Sequence, residues 1–370
     1  MDFNLDDDER MLADTLERFL SREAGPGGWP LPDPPDSPSA SERWHRCAEM
    51  GLTALQIPES HGGLDRPFTD VYLVMVALGR HGISLPFVGS AVIGAHLLRY
   101  GGSQEQQDRW LPTLADGSLR IALALVDAGP RFAPHRSDVL WDGQKLTGTK
   151  YVVNDALDAQ LLIVTAVDTH GALRLLCVDA QAPGVSVHPQ TAIDGRWIAD
   201  IHFDQVVVGP DRVLGPANAQ AVLDEALDKG VAALCAEAWG AAARLREFTL
   251  EHLTTRTQFG QAIGRFQVLQ HRAADMLLLT EQLHSAALLA TAHAEHIDPS
   301  VRRREVSSAK AMVGRYSRPL GEAAMQTFAG MGMTDELPAS RCFRRLIAIG
   351  SIWGDCGHHL DRLSAQEHVA

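Results

Sequence analysis

The apolar residues of this chain change their period twice, from helical to alternating and back, and those two switches set its fold class. From about Asn4 to Glu23, residues Leu5, Met11, Leu12, Leu16, Phe19 and Leu20 recur at the spacing of one helical face. The run GPGGWPLPDPPDSPS that follows carries too much proline and glycine for regular structure and reads as a loop. Helical patterns resume over SERWHRCAEMGL, TDVYLVMVALGRHG and SAVIGAHLLRYG, and SQEQQDRWLPTLADG reads as a helix with Ser103 as its N-cap. Past Gly117 the chain breaks into short β-rich segments, AQLLIVTAV, LRLLCVDA, GVSVHP and DIHFDQVVV, parted by turn residues. The Asp142-Gly143 pair within DVLWDGQKLTGTKYVV is a hairpin signal.

From about Asn218 the helical period returns. Leu227, Val231, Leu234, Ala238, Leu245, Phe248 and Leu253 mark one face of a long helix ending before Thr257. Three more helices follow over roughly 263–296, 300–328 and 340–366. The expected architecture is therefore α+β and mostly α. It has an N-terminal helical domain (1–117), a central small β-domain (118–215) and a C-terminal antiparallel four-helix bundle (216–370). No strand is followed by a crossover helix and no GxGxxG occurs, which argues against a Rossmann domain.

The charge balance narrows the partners. A formal net charge of -13 argues against nucleic acid and against anionic membrane surfaces. No apolar run is long enough to span a bilayer, and the opening MDFNLDDDER is acidic where a signal peptide is basic. Cys47, Cys177, Cys235, Cys342 and Cys356 are scattered without a CxxC pair, as expected of reduced thiols in the cytoplasm. The adjacent histidines of DCGHH lack the ligand spacing of a zinc site, so no metal is expected.

One run does not look like packing. In RTQFGQAIGRFQVLQHRAADM, Arg256 offers the forked guanidinium that suits a pyrophosphate, and Phe259 offers an apolar face. Gly260 lets the chain turn between helices. The plainer reading of Arg256 is an exposed cation at a helix C-terminus. This run closely resembles the motif of the flavin-dependent acyl-CoA dehydrogenases. EMGLTALQIPESHGGL (49–64), GSQEQQDRWLPTLADG (102–117), LTGTKYVV (146–153) and MQTFAGMGMTDELPASRCFRR (325–345) extend the resemblance over nearly the whole chain.

The resemblance implies a fold of helical, β and helical domains, and a definite chemistry. A carboxylate removes the α-proton of an acyl-CoA thioester while a hydride leaves the β-carbon for the flavin N5. It also implies a tetramer, a dimer of dimers, with each FAD shared. One subunit's β-domain holds the isoalloxazine; the next subunit's C-terminal domain holds the pyrophosphate and adenine. Carried onto this chain, the second group is Arg256, Phe259, Gln267, Gln326, Gly330 and Gly332, with Ala329 where the family usually has glycine. Tyr151 takes the place of the aromatic that stacks near the ring.

The isoalloxazine half departs from the family. Val126 stands where a hydroxyl belongs, and no Gly-Ser follows at the expected spacing in LVDAGPRFAPHRSD. Tyr151, Val152 and Val153 replace Trp-Ile-Thr, and Asn154, one residue along the strand, is expected to face the other way. Gapless alignment of FRRLIAIGSIWGDCG puts Trp353 at the position of the family's catalytic glutamate, and the second base location used by some members falls on Gly230. Two carboxylates remain as candidate bases. Glu237 lies two helical turns past Gly230 on the same face, its plainer role being a partner for Arg244 or a neighbouring helix. Asp355 follows Trp353 by two residues, its plainer role being a helix cap or a contact with a neighbouring subunit.

The ending GMGMTDEL…RCFRRLIAI…WGDCGHHLDRLS resembles the small, or β, subunits of heteromeric bacterial acyl-CoA dehydrogenases, such as those of pimeloyl-CoA dehydrogenase and of steroid side-chain breakdown. That implies an assisting β subunit of an α2β2 heterotetramer, completing the FAD site of a catalytic α subunit that desaturates an acyl-CoA. Two other readings stay open. One is a self-sufficient homotetramer with a displaced base at Glu237 or Asp355. The other is a binding or scaffold protein on this fold that uses neither flavin nor acyl-CoA.

Overall fold

The computed structural model of the chain describes residues 5–34, 37–129, 132–215 and 219–367. Asn4, Pro130, Arg131 and the boundary at 216–218 lie outside the described residues.

Five helices come first: α1 (Asp7–Ala24), α2 (Pro38–Glu49), α3 (Phe68–His81), α4 (Ala95–Gly101) and α5 (Gln104–Ala115). A π-helical stretch, Val88–Gly94, leads into α4. Ser103 caps α5 as its sequence requires. Its Oγ accepts the Gln106 N–H at 3.3 Å while Gln106 Oε1 accepts the Ser103 N–H at 2.8 Å, a reciprocal box that satisfies two otherwise orphaned donors.

Eight strands follow: β1 (Ile121–Ala124), β2 (Leu140–Trp141), β3 (Lys145–Asn154), β4 (Leu161–Asp168), β5 (Leu173–Asp179), β6 (Val185–Thr191), β7 (Trp197–Val207) and β8 (Val213–Leu214). They form one sheet in the order β6-β7-β3-β2-β4-β5-β8, with β1 parallel on β4. The Asp142-Gly143 turn joins β2 to β3 as a hairpin in which Trp141 faces Leu146. The Asp142 carboxylate closes that turn by accepting the N–H groups of Gln144 and Lys145. The inward residues, Leu146, Leu162, Val164, Leu176, Ile201 and Phe203 among them, make the core of this sheet.

A bulge interrupts β3. Val152 has φ 51, and the pairing with β7 slips between Lys150 and Val153. The extra residue brings Lys150 and Val153 both to the buried side, with Val152 left exposed. Asn154, half-buried, follows on the face away from Val153.

The chain ends in α6 (Ala219–Thr255), a two-stranded ribbon of β9 (Thr257–Gln258) and β10 (Gln261–Ala262), α7 (Gln267–His293), α8 (Pro299–Phe328), α9 (Pro338–Ser351) and α10 (Cys356–Glu367). The single helix expected over 340–366 is two helices. Trp353 at φ 52 and Gly354 at φ 103 are left-handed and cannot continue α9, and Asp355 caps α10 by accepting the His358 N–H at 2.8 Å.

Two compact units make up the chain. One comprises the stretch up to Leu31, Phe68–Ile83 and everything from Val231. Within it α3 lies backbone to backbone on α6: a Cβ on Gly240 would stand 2.1 Å from the Val76 carbonyl oxygen. The other unit comprises Pro32–Pro67 and Ser84–Gly230, and holds the sheet. No helix among the described residues is long and apolar enough to cross a membrane.

Candidate functional site

The Arg256 run folds as a tight hairpin rather than a plain inter-helix turn. Gln258 pairs with Gln261 and Thr257 with Ala262, leaving Phe259 and Gly260 as a two-residue loop. Both have positive φ, 55 and 78, as in a type I′ turn. Glycine accepts that conformation freely; phenylalanine is strained in it. Phe259 is also 90% exposed, and its one ring contact among the described residues is an edge-on approach to Phe266 at 6.0 Å. Neither local backbone preference nor packing within the chain accounts for a phenylalanine there.

Arg256 follows the last residue of α6 and is exposed. Its backbone is fixed at both ends, N–H to the His252 carbonyl and carbonyl to the Ile263 N–H, each at 2.9 Å. Among the described residues no carboxylate pairs with its guanidinium. Gln267, the first residue of α7, is exposed as well, and α7 begins with no side-chain cap and no acidic residue in its first turn. An uncapped helix N-terminus and a free guanidinium both favour an anion.

The second group lines a cavity of about 650 Å³ at the C-terminal end of α8, with Gln326, Ala329, Gly330, Gly332 and Arg344 in its wall. The two glycines differ. A Cβ at Gly332 would lie 2.8 Å from the Met325 carbonyl oxygen, so internal packing already demands glycine there. A Cβ at Gly330 would meet nothing within 4 Å, so packing among the described residues does not demand glycine there and the space beside it is open. Ala329 sits at φ 51 and ψ −134, a conformation suited to glycine. A ring contact between His252 and Phe328, 4.6 Å between centroids, joins the end of α6 to the end of α8.

The candidate bases fall in the same unit. Gly230, in the other unit, is buried and offers no side chain. Glu237 is 2% exposed, and both its oxygens are taken: Arg345 of α9 donates Nε to Oε1 at 2.8 Å and an N–H of its other arm to Oε2 at 2.7 Å. Arg244 instead pairs with Glu247 and lies over the Phe248 ring. Asp355 is exposed at the start of α10, with one oxygen engaged as its cap. Trp353 and Gly354 are held from beneath. The Gly354 carbonyl accepts from Lys310 Nζ at 2.9 Å, and the Trp353 carbonyl accepts from His359 Nε2 at 3.2 Å. Burial pulls the Lys310 ammonium down to about 8 and, with Lys310, Arg362 and His358 nearby, pushes His359 down to about 2, so His359 is neutral.

In the sheet-bearing unit, Val126 bridges Tyr151, whose N–H donates to the Val126 carbonyl at 2.8 Å. Tyr151 is half-buried; Val153 is 2% exposed within the core of the sheet. Below them Lys150, fully buried, donates to both Asp127 oxygens at 2.8 and 2.7 Å, to Ser137 Oγ at 2.9 Å and to the Leu125 carbonyl at 3.2 Å. One lysine thus ties both ends of the 125–137 loop to β3. Neither Val126 nor Val153 has a side-chain donor to offer.

Residues 6–118 match the family model for the acyl-CoA dehydrogenase N-terminal domain, and residues 220–355 that for the C-terminal domain. The chain belongs to the acyl-CoA dehydrogenase family. Among relatives it is 25% identical to a probable acyl-CoA dehydrogenase, YngJ, of Bacillus subtilis, over 95% of this chain and 96% of that one. It is 28% identical to an L-prolyl-[peptidyl-carrier protein] dehydrogenase of a Serratia species, over 83% of each. Among solved structures it is similar to a variant of the Tcur3481-Tcur3483 steroid ACAD, at 26% identity and TM-score 0.84, covering 98% of this chain and 99% of that one.

Within this acyl-CoA dehydrogenase chain, sequence reasoning missed Lys310, Lys150 and His252, and weighed His359 only as a metal ligand. The two lysines are polar groups at core positions of apolar-looking elements, which periodicity alone scores as neutral. A buried lysine is rare enough without a partner to have been a signal.

Proposed function

We propose that this chain is the assisting subunit of an α2β2 acyl-CoA dehydrogenase, supplying the pyrophosphate and adenine half of an FAD site to a catalytic partner that desaturates an acyl-CoA. The observation that carries the proposal is the contrast between the two halves. On the adenine side, Arg256, Phe259, Gln267, Gln326 and Gly330 are exposed, and packing among the described residues demands neither Phe259 nor Gly330. These residues fit the group: a guanidinium and an uncapped helix for phosphate oxygens, an aromatic face, and an open glycine for close approach. On the isoalloxazine side the fit fails, because Val126 and Val153 cannot donate.

The carboxylates point the same way. Glu237 is buried with both oxygens committed to Arg345, and Asp355, exposed at the start of α10, spends one oxygen on its helix cap, which supports a base supplied by the partner. Similarity to the Tcur3481-Tcur3483 steroid ACAD, whose name joins two chains, supports a heteromeric assembly. Bound FAD would supply the hydride acceptor; this chain's part is to grip the cofactor's far end.

The test is flavin counting after co-expression with a candidate α chain. The expected result is about half a flavin per chain in the complex and little in the isolated protein, as two-fold symmetry with one complete site per α–β pair requires. Arg256→Ala should lower flavin content in the complex while leaving folding intact. One tightly bound flavin per chain in the protein purified alone would overturn the proposal.

A further inference from the structure

His252 lies on α6 four residues before Arg256, which follows the helix's last residue and donates its N–H to the His252 carbonyl at 2.9 Å, so one continued helical turn sets the two side chains on the same side. Its ring rests on Phe328, tilted 34° at 4.6 Å, directly before Ala329 and Gly330 at the cavity wall. The imidazole is half-buried, and among the described residues no group hydrogen-bonds its nitrogens. The groups that face it are few. Arg256 comes from just past the end of its own helix and Phe328 from α8, and no carboxylate pairs with it among the described residues. Partial burial, with Arg256 nearby, holds it below the usual histidine range, so near neutral pH it sits uncharged beside a cation.

We infer that His252 is a second binding residue for the diphosphate that Arg256 holds, and that it takes up a proton from solvent as the anion arrives. The inference rests on the FAD reading given above. A neutral imidazole beside a guanidinium is poised for this. A diphosphate bound there cancels the repulsion from Arg256 and offers acceptor oxygens to both ring N–H groups. An opposite charge within about 4–6 Å raises a histidine by roughly 1–3 pH units, enough to carry this one across neutrality. The C-terminal end of α6 adds to the effect, since its carbonyls favour a cation. The ring's contact with Phe328 fixes its orientation before the ligand comes, so little side-chain freedom is lost on binding.

The linkage has a sign. The complex holds the extra proton and the free protein does not, so affinity must strengthen as pH falls through this window and weaken as it rises. The probe is ADP-ribose, which carries adenine and a diphosphate diester with no titration of its own near neutrality. Calorimetry of the full chain in two buffers of different ionisation enthalpy should show uptake of roughly 0.5–1 proton per ligand at pH 7.5, and about tenfold tighter binding at pH 6 than at pH 8. His252→Phe, which keeps the ring packing, should bind more weakly, with no proton uptake and a flat pH profile. Wild-type binding that takes up no more protons than His252→Phe would overturn the inference and leave the flavin reading standing. No binding by the wild type, or binding indifferent to Arg256→Ala, would overturn that reading and this inference with it.

Discussion

Ala329 holds a backbone conformation, φ 51 and ψ −134, that costs a residue with a Cβ about 1–3 kcal/mol. The turn after α8 imposes it, and alanine has only to endure it. Ala329→Gly should therefore raise the stability of the chain by about 1 kcal/mol, the strain relieved less the entropy of glycine in the unfolded state. A urea midpoint that moves down, at unchanged slope, would show that the turn is not strained. The sequence marks Ala329 as unusual, but the size of the effect lies in a dihedral angle that no pattern of apolar residues encodes. The same holds for Glu237. Helical spacing places it on the face of Gly230, yet its partner Arg345 is 108 positions away and comes from a helix whose end at Ser351 the periodicity missed.

Between elements, the Glu237–Arg345 pair is the polar joint of α6 and α9. Its side chains are 2% and 8% exposed, so removing one leaves the other charged and dry. Glu237→Ala should cost about 3–5 kcal/mol in chemical denaturation, while Glu237→Met with Arg345→Met should recover most of that loss. A cost below about 1 kcal/mol for the single variant would show that the pair is solvated. Lys310, beneath the α9–α10 turn, gives a pH test. Its folded value is about 8, whereas the unfolded chain keeps that proton until about 10.5. Between those values the unfolded state binds more protons, so this group's contribution to stability rises with pH. The cost of burying the ammonium is fully present below pH 8. Relative to Lys310→Met, the wild type should gain roughly 1–3 kcal/mol from pH 8 to 10. Parallel profiles for the two proteins would contradict this. The turn itself was hidden from the sequence pattern because the apolar spacing runs unbroken through Ile349 and Ile352 up to Trp353.

At the scale of the molecule, the sheet and helices were legible because one hydrophobic period prevails in each. What the chain leaves uncovered was not. Phe259, Val268 and Leu278 are 90%, 64% and 65% exposed along the β9–β10 turn and α7, large apolar side chains left in solvent that association would cover. If the proposed catalytic subunit docks there, Leu278→Asp should abolish assembly with it, read as a chain of monomer mass in light scattering, with the far-ultraviolet circular dichroism of the wild type. Retention of the full complex would place the contact elsewhere.

The tip formed by Phe259 has one more consequence. A phenylalanine fixed outward by its own turn cannot fold away when no partner is present, so every unmatched copy displays the kind of greasy flag that chaperones and proteases recognise. Under the proposed two-subunit assembly, cellular abundance of this chain should then follow that of the proposed partner, with any surplus removed after synthesis, and the dosage of the two genes would be balanced by the protein itself.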